Sequence, residues 1–138
     1  MFLRFYTSLH VFFYKLSGGR VGGRIHGTSV LLLTTTGWKT GKKRTRPLMY
    51  LQDGNRLVVV AANGGREKDP VWWRSLKHNP IGEVQVGSEK ETVFAQRASG
   101  VEKERLWTLL TSVYPGYKEY QEKTKREISV VVLTPKRV

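Results

Sequence analysis

Five cations crowd one short stretch of this 138-residue chain: Lys39, Lys42, Lys43, Arg44 and Arg46, set between Gly37 and Pro47. They sit inside the run from Val30 to Leu51, V-L-L-L-T-T-T-G-W-K-T-G-K-K-R-T-R-P-L-M-Y-L. Like charges this close repel one another and add nothing to a fold. Their spacing points to an anionic ligand with phosphate or carboxylate oxygens. A second group is aromatic. Tyr114, Tyr117 and Tyr120 are spaced by three, which on helical geometry makes them neighbours, and the Pro115-Gly116 break puts Tyr117 at a helix start. Such a cluster either packs as an aromatic corner or walls a planar ring, with a phenol able to donate a hydrogen bond to a substrate.

Other chemistries fare poorly. The chain has no cysteine, which removes disulfides, thiolate metal sites and a cysteine nucleophile. His10, His26 and His78 are far apart with no ligand spacing, so no metal site is expected. No acidic pair or serine–histidine pair stands out, and no carboxylate precedes Asp53. An enzyme with this inventory leaves its chemistry to a bound cofactor. The formal net charge is +13, concentrated in the first half of the chain. That imbalance suits phosphate ligands, an anionic membrane surface or nucleic acid. Nucleic acid is the weaker reading, because the aromatic residues mostly fall in segments that read as core and not as a stacking platform.

The elements that must position these residues follow from patterning. The length suits a single core. Phe2 to Leu16 reads as an amphipathic helix, with Phe2, Phe5, Tyr6, Leu9, Phe12, Phe13 and Leu16 on one side. It is shorter than the ~20 apolar residues needed to span a bilayer, and no small-residue cleavage site follows it. It reads either as a helix docked on the core or as an interfacial helix lying on lipid. Gly18, Gly19, Gly22 and Gly23 form a joint without the dinucleotide fingerprint. This divides the chain into a helix at residues 1–18 and a binding domain at 19–138.

Val30 to Thr36 is the first strand, and its Leu-Leu-Leu run implies burial on both faces. Pro47 to Leu51 is the second, across a loop that carries the cations. Asp53-Gly54-Asn55 is a turn signal, and Leu57 to Ala62 is the third strand, ended by Asn63-Gly64-Gly65. Pro70 opens a helix over Val71 to Lys77, with Trp72 and Trp73 at its start, one expected in the core and the other free to line a ligand. Glu83 to Val86 and Glu91 to Ala98 read as a hairpin across Gly87 to Lys90. A helix follows over Val101 to Val113 with Leu106, Leu109, Leu110 and Val113 buried, then a short helix over about Lys118 to Lys125. Ile128 to Leu133 closes the chain as a central strand. The sum is α+β but mainly β: about six mostly antiparallel strands in a small barrel with short flanking helices.

The runs G-W-K-T-G-K-K-R-T-R-P-L, V-V-V-A-A-N-G-G, P-V-W-W-R-S-L-K-H-N-P, V-Q-V-G and Y-P-G-Y-K-E-Y-Q-E-K-T, with the closing V-V-V-L-T-P, occur in an order that resembles the deazaflavin-dependent nitroreductase family. The likeness covers about Gly19 to Pro135. It implies a split β-barrel, FMN-binding split barrel-like, that binds coenzyme F420 and transfers hydride from the reduced deazaflavin ring. By the same resemblance, Trp38, Lys39, Thr40, Lys43, Arg44, Thr45, Arg46, Pro47, Leu48 and Met49 belong to the segment that holds the phosphate and polyglutamate tail. Val60, Ala61, Ala62 and Asn63 border the ring from the strand end. Val71, Trp72, Trp73, Arg74 and Ser75 border it from the helix start. Tyr114, Tyr117 and Tyr120 match the substrate-side tyrosines to which the family's catalytic role is carried over.

Two departures stand out. Trp38 replaces the arginine of G-R-K-T-G, which removes one tail contact. Ala62 replaces a serine whose hydroxyl lies near the reacting groups in relatives, which weakens the case for nitro-group reduction more than that for F420 binding. The expected activity is reduction of a small, hydrophobic, electron-poor acceptor: a quinone, an activated alkene or a nitroaromatic. FMN is the alternative cofactor, and a non-enzymatic anion binder the alternative function. The N-terminal helix is similar to one that associates relatives with membranes. The expected location is therefore cytoplasmic and peripheral at the inner face of the cell membrane, with a homodimer allowed and no specific nucleic-acid partner.

Overall fold

The Val30–Leu51 stretch folds as a hairpin in the computed structural model, which describes residues 24–25 and 28–136. Strand β2 (Thr28–Thr36) pairs antiparallel with β3 (Lys43–Met49), from Val30↔Met49 to Thr36↔Lys43. The second strand therefore starts four residues earlier than the sequence suggests. Lys43, Arg44 and Arg46 belong to it, and the connecting loop is only Gly37–Lys42. Strand geometry accommodates them because alternate residues face opposite sides. The loop closes on itself: Gly37 N–H donates to the Lys42 carbonyl and Gly41 N–H to the Gly37 carbonyl, both at 2.9 Å. Gly41 has φ +70°, a conformation that favours glycine. At the strand ends, the Thr34 and Thr45 hydroxyls meet at 2.7 Å.

The described residues form eight strands and three α-helices. β1 (Arg24–Ile25) pairs with β2, and β4 (Leu51–Asp53) turns through Gly54-Asn55 into β5 (Arg56–Val60). Helix α1 (Val71–His78) precedes β6 (Ile81–Val86) and β7 (Glu89–Arg97). Helices α2 (Gly100–Val113) and α3 (Gly116–Glu122) lead to β8 (Val130–Pro135). The order across the sheet is β1-β2-β6-β7-β8-β5-β4, with β3 added on β2, and every pairing is antiparallel. The strands curl into the half-barrel of a split-barrel fold. The helix expected over Phe2 to Leu16, and the glycine joint after it, lie outside the described residues.

Two apolar cores flank β5 and β8. Val59, Ala61, Val131 and Leu133 face Leu31, Leu33 and α1. Val58, Val60, Ala62, Val130 and Val132 face Leu106, Leu110 and Tyr117 of α2 and α3. This two-residue alternation explains the unbroken valine runs, since both faces are buried. Several boundaries differ from the sequence reading. The β6–β7 turn is only Gly87-Ser88, because Glu89 pairs with Val86 and Lys90 with Gln85 in the ladder. The buried stripe of α2 runs through Leu106, Leu110 and Thr111, while Leu109 and Val113 are exposed on its flank. The last strand starts at Val130, after buried Ile128 and Ser129.

Candidate functional site

Alternation along β3 decides which cations face inward. Arg44 and Arg46, two residues apart, line a cavity of about 240 Å³ under the hairpin tip, together with Lys39, Thr40, Trp38 and Trp72. Lys43, Thr45 and Met49 have the opposite parity and do not line it. Met49 instead packs against the α2–α3 core. Arg46, Val71 and Trp72 also line a larger cavity of about 840 Å³. Pro47, Leu48, Val60, Asn63 and Arg74 complete much of that second space. The shared walls make one groove. It runs from the basic hairpin tip, along the start of α1, to the end of β5.

The tip is braced by stacking. The Trp38 indole lies 5.1 Å from the His78 ring at 11°. The Arg74 guanidinium sits 5.4 Å from the Trp38 ring centre and the Lys39 ammonium 5.8 Å from it. His78 Nδ1–H donates to the Arg74 carbonyl at 2.9 Å. Cation–π attraction thus gathers two positive groups around one indole. Arg74 Nε and Ser75 Oγ are buried without a hydrogen-bond partner among the described residues. Arg74 lines the larger cavity, whereas Ser75 is buried within α1 and lines neither cavity, so it does not border the groove as the sequence reading expected.

Helix α1 starts after Pro70, whose carbonyl accepts from the N–H groups of Trp73 and Arg74 at 3.1 Å. Both tryptophans are core residues, Trp72 at 7% and Trp73 at 5% exposure. The expectation that one of them would stay free of the core is corrected in part, since Trp72 does both tasks by packing inward and lining the groove. Trp73 is fully committed to packing. Ala61 and Ala62 likewise sit in the two cores and not in the groove walls. At the strand end, Asn63 is left-handed at φ 48° and is followed by Gly64 at φ 65° and Gly65 at φ 80°. Asn63 Nδ2–H donates to the Lys68 carbonyl at 2.9 Å, which folds the loop over. A Cβ on Gly65 would meet the Tyr120 carbonyl oxygen at 2.7 Å, so α3 is seated directly on this turn.

The three tyrosines do come together. Tyr114 and Tyr117 rings lie 4.9 Å apart edge-on, and Tyr120 is 6.3 Å from the first and 6.5 Å from the second. The Tyr114 and Tyr120 hydroxyls approach to 3.3 Å. Tyr117 is buried beside Trp107, and desolvation pushes its phenol well above the ordinary tyrosine range, with Tyr114 and Tyr120 adding to the effect. It therefore stays neutral. None of the three lines either cavity; they share a core with Val60, the residue where that core touches the groove. Sequence reasoning missed Thr35, Arg66 and Asp69 in the walls, and His78 behind Trp38. Only the helical spacing of Arg74 and His78 could have hinted at the last of these.

The sequence profile of the F420H(2)-dependent quinone reductase family matches residues 6–135. An F420H(2)-dependent quinone reductase of Mycobacterium tuberculosis is 40% identical over 130 residues, covering 91% of this chain and 87% of that protein. A solved F420-H2 dependent reductase, FDR-A, is 41% identical with a TM-score of 0.69, covering 75% of this chain and 92% of the other. A second solved structure, a domain-swapped dimer, has the same identity and TM-score and covers 75% of this chain and 78% of its own. The basic hairpin, the groove and these likenesses agree: the chain belongs to the F420H(2)-dependent quinone reductase family.

Proposed function

We propose that this protein uses reduced coenzyme F420 to reduce a hydrophobic, electron-poor acceptor of the quinone class. Coenzyme F420 is the cofactor of the family, so the FMN alternative falls away. One observation carries the assignment to this chain: a single groove with Lys39, Arg44 and Arg46 at one end and Leu48, Val60 and Trp72 toward the other. The residues present fit a molecule with a polyanionic tail and a planar ring. Guanidinium groups suit phosphate and carboxylate oxygens. The larger cavity has a mixed lining, in which Leu48, Val60, Val71 and Trp72 give an apolar strip for a ring beside the charged rim of Arg66, Glu67, Lys68 and Asp69.

When bound, reduced F420 supplies the hydride. The chain supplies binding, orientation and dryness. Lys39, Arg44 and Arg46 hold the anionic end. Arg74, braced by Trp38, offers a further cation along the same wall. Trp72, Val71 and Val60 form an apolar bed, and the turn at Asn63 closes its end. Rigid walls of this kind bring donor and acceptor carbons to ~3–3.5 Å and so lower the entropic part of the barrier. The tyrosines stand one layer back from this groove: Tyr114, Tyr117 and Tyr120 pack behind Val60 and support that wall from the core. Without a hydroxyl at residue 62, nitroaromatics should be poorer acceptors than quinones. Dimerisation, seen in one relative, and peripheral contact of the N-terminal segment with anionic lipid complete the proposal.

The test is anaerobic mixing of the protein with F420H2 and a panel of quinones, enones and nitroaromatics, following deazaflavin oxidation optically. Quinone-dependent oxidation is expected. Failure of every acceptor, together with no change in F420 fluorescence on titration, would remove the assignment.

A further inference from the structure

Arg126 lies between α3 and β8 in a run, K-T-K-R-E, that reads as a solvated charged segment. Its side chain is only 16% exposed, and all three guanidinium nitrogens are engaged. Nε donates to the Arg66 carbonyl at 2.9 Å and Nη2 to the Ala62 carbonyl at 2.8 Å. Nη1 reaches the Ala61 carbonyl at 3.2 Å and Asp69 Oδ1 at 3.0 Å. Asp69 Oδ2 accepts in turn from Lys77 Nζ of α1 at 2.8 Å.

The need for these donors follows from the backbone. The β5–β8 ladder ends at Val60↔Val130, and Ala61 N–H still reaches the Ser129 carbonyl at 2.9 Å. Three left-handed residues, Asn63 to Gly65, then turn the chain away from the sheet. The sheet ladder does not extend to the carbonyls of buried Ala61 and Ala62. Within the turn the Ala62 carbonyl accepts from the Gly65 N–H at 2.9 Å, and Arg126 supplies a donor to each of the two. A planar fork of charged N–H groups satisfies several carbonyls at once, which a lysine ammonium at one point cannot. The loop held in this way is a wall of the larger cavity, through Asn63, Arg66 and Asp69. Lys77 ties the same carboxylate to α1, the helix that carries Trp72 and Arg74 in the adjoining wall.

We infer that Arg126 is a positioning residue for hydride transfer: it fixes the ring end of the groove without lining it, by clamping the Ala61–Asp69 loop and, through Asp69, helix α1. This rests on the proposed F420H2 reductase reading. The test compares wild type with Arg126→Lys in the full chain, by thermal melting, peptide-resolved hydrogen exchange, F420 titration and quinone turnover. Exchange across residues 62–69 should rise by about tenfold, since local opening governs protection there. F420 affinity should stay within about threefold, because Lys39, Arg44 and Arg46 are untouched, while kcat falls by about tenfold through misplacement of the wall. A merely structural residue would lower melting temperature and F420 affinity together. Asp69→Asn, which leaves Arg126 in place but removes the charge shared with Lys77, should move loop exchange and kcat in the same direction by less. Wild-type exchange and wild-type kcat in either variant overturn the inference. A wild-type protein that binds no F420, with the loop still loosened by Arg126→Lys, overturns the function and Arg126's part in it, but leaves the clamp itself standing.

Discussion

Strand parity in β3 yields a sharp contrast between neighbouring cations. Arg46 lines both cavities and Arg44 the smaller one, whereas Lys43 is exposed and lines neither. A charged hydrogen bond to an anionic ligand contributes on the order of 1.5 kcal/mol, or about tenfold in affinity. Residues two apart on a strand are about 6.6 Å from each other, close to the limit at which such effects add. Arg46→Ala should therefore weaken F420 binding about tenfold, and Arg44→Ala with Arg46→Ala by roughly fifty- to a hundredfold. Lys43→Ala removes only a screened long-range attraction and should cost no more than about twofold at physiological salt. Fluorescence titration of F420 at two ionic strengths reads all three variants. The double variant should also show a weaker salt dependence, since two ionic contacts are lost while Lys39 and Arg74 remain. If Lys43→Ala weakens binding as much as Arg46→Ala, the cations act as a diffuse charge cloud and the groove argument fails.

Tyr117 is buried in the α2–α3 core, so Tyr117→Phe should keep kcat within about threefold of wild type, whereas Tyr117→Ala should cost about 3 kcal/mol of stability in urea unfolding. Because its folded-state pKa is raised, the stabilising effect of the neutral phenol is complete below the unfolded value near 10 and fades as pH rises beyond it; alkaline melts of wild type and Tyr117→Phe should diverge only there. Asp53 is held down to about 2 by hydrogen bonds from Arg105 and then Arg56, against an ordinary value of 3.8. Its contribution is thus present above about pH 4 and lost as pH falls toward 2. Asp53→Asn should lower stability at pH 7 by about 1 kcal/mol after solvent screening and converge with wild type in acid.

What could be read from the sequence was local. The hairpin, the Asp53 turn, the helix opened by Pro70 and the tyrosine cluster depend on residues within a few positions of each other. Their existence followed from periodicity and turn chemistry. Boundaries failed where charge was taken as a sign of loop. Lys43, Arg44 and Arg46, and later Glu89 and Lys90, sit in strands because one strand face can stay wet while the other is covered. Leu109 and Val113 failed for a related reason. The stripe that α2 buries is chosen by the sheet beneath it, and Thr111 with its hydroxyl bonded to the Trp107 carbonyl at 2.8 Å is buried in their place. Of the groove residues, Arg44 and Arg46 were legible from the crowding of charge and Trp72 as one of two candidates at a helix start, whereas Val60 was named only through the family likeness. The ties of Arg126 to residues 57 to 65 positions away have no local signature at all.

The arrangement separates two physical problems along one groove. At the hairpin tip the ligand's charge must be matched, and the residues there are half-exposed cations on a short loop and a strand edge, where water keeps their desolvation small. At the β5 end, on the proposed reading, a reacting ring would be held still, and the residues there are set by packed layers. Val60 belongs to the tyrosine-bearing core, Trp72 to the opposite one, and both line the larger cavity. Because β5 alternates between the cores, neither wall can shift without disturbing a strand buried on both faces. Substitutions of the half-exposed tip cations should therefore act mainly on affinity. The turn at Asn63 has no such freedom: its left-handed backbone, the close seat of α3 on Gly65 and the donors of Arg126 all fix the same few carbonyls beside the place where hydride would move.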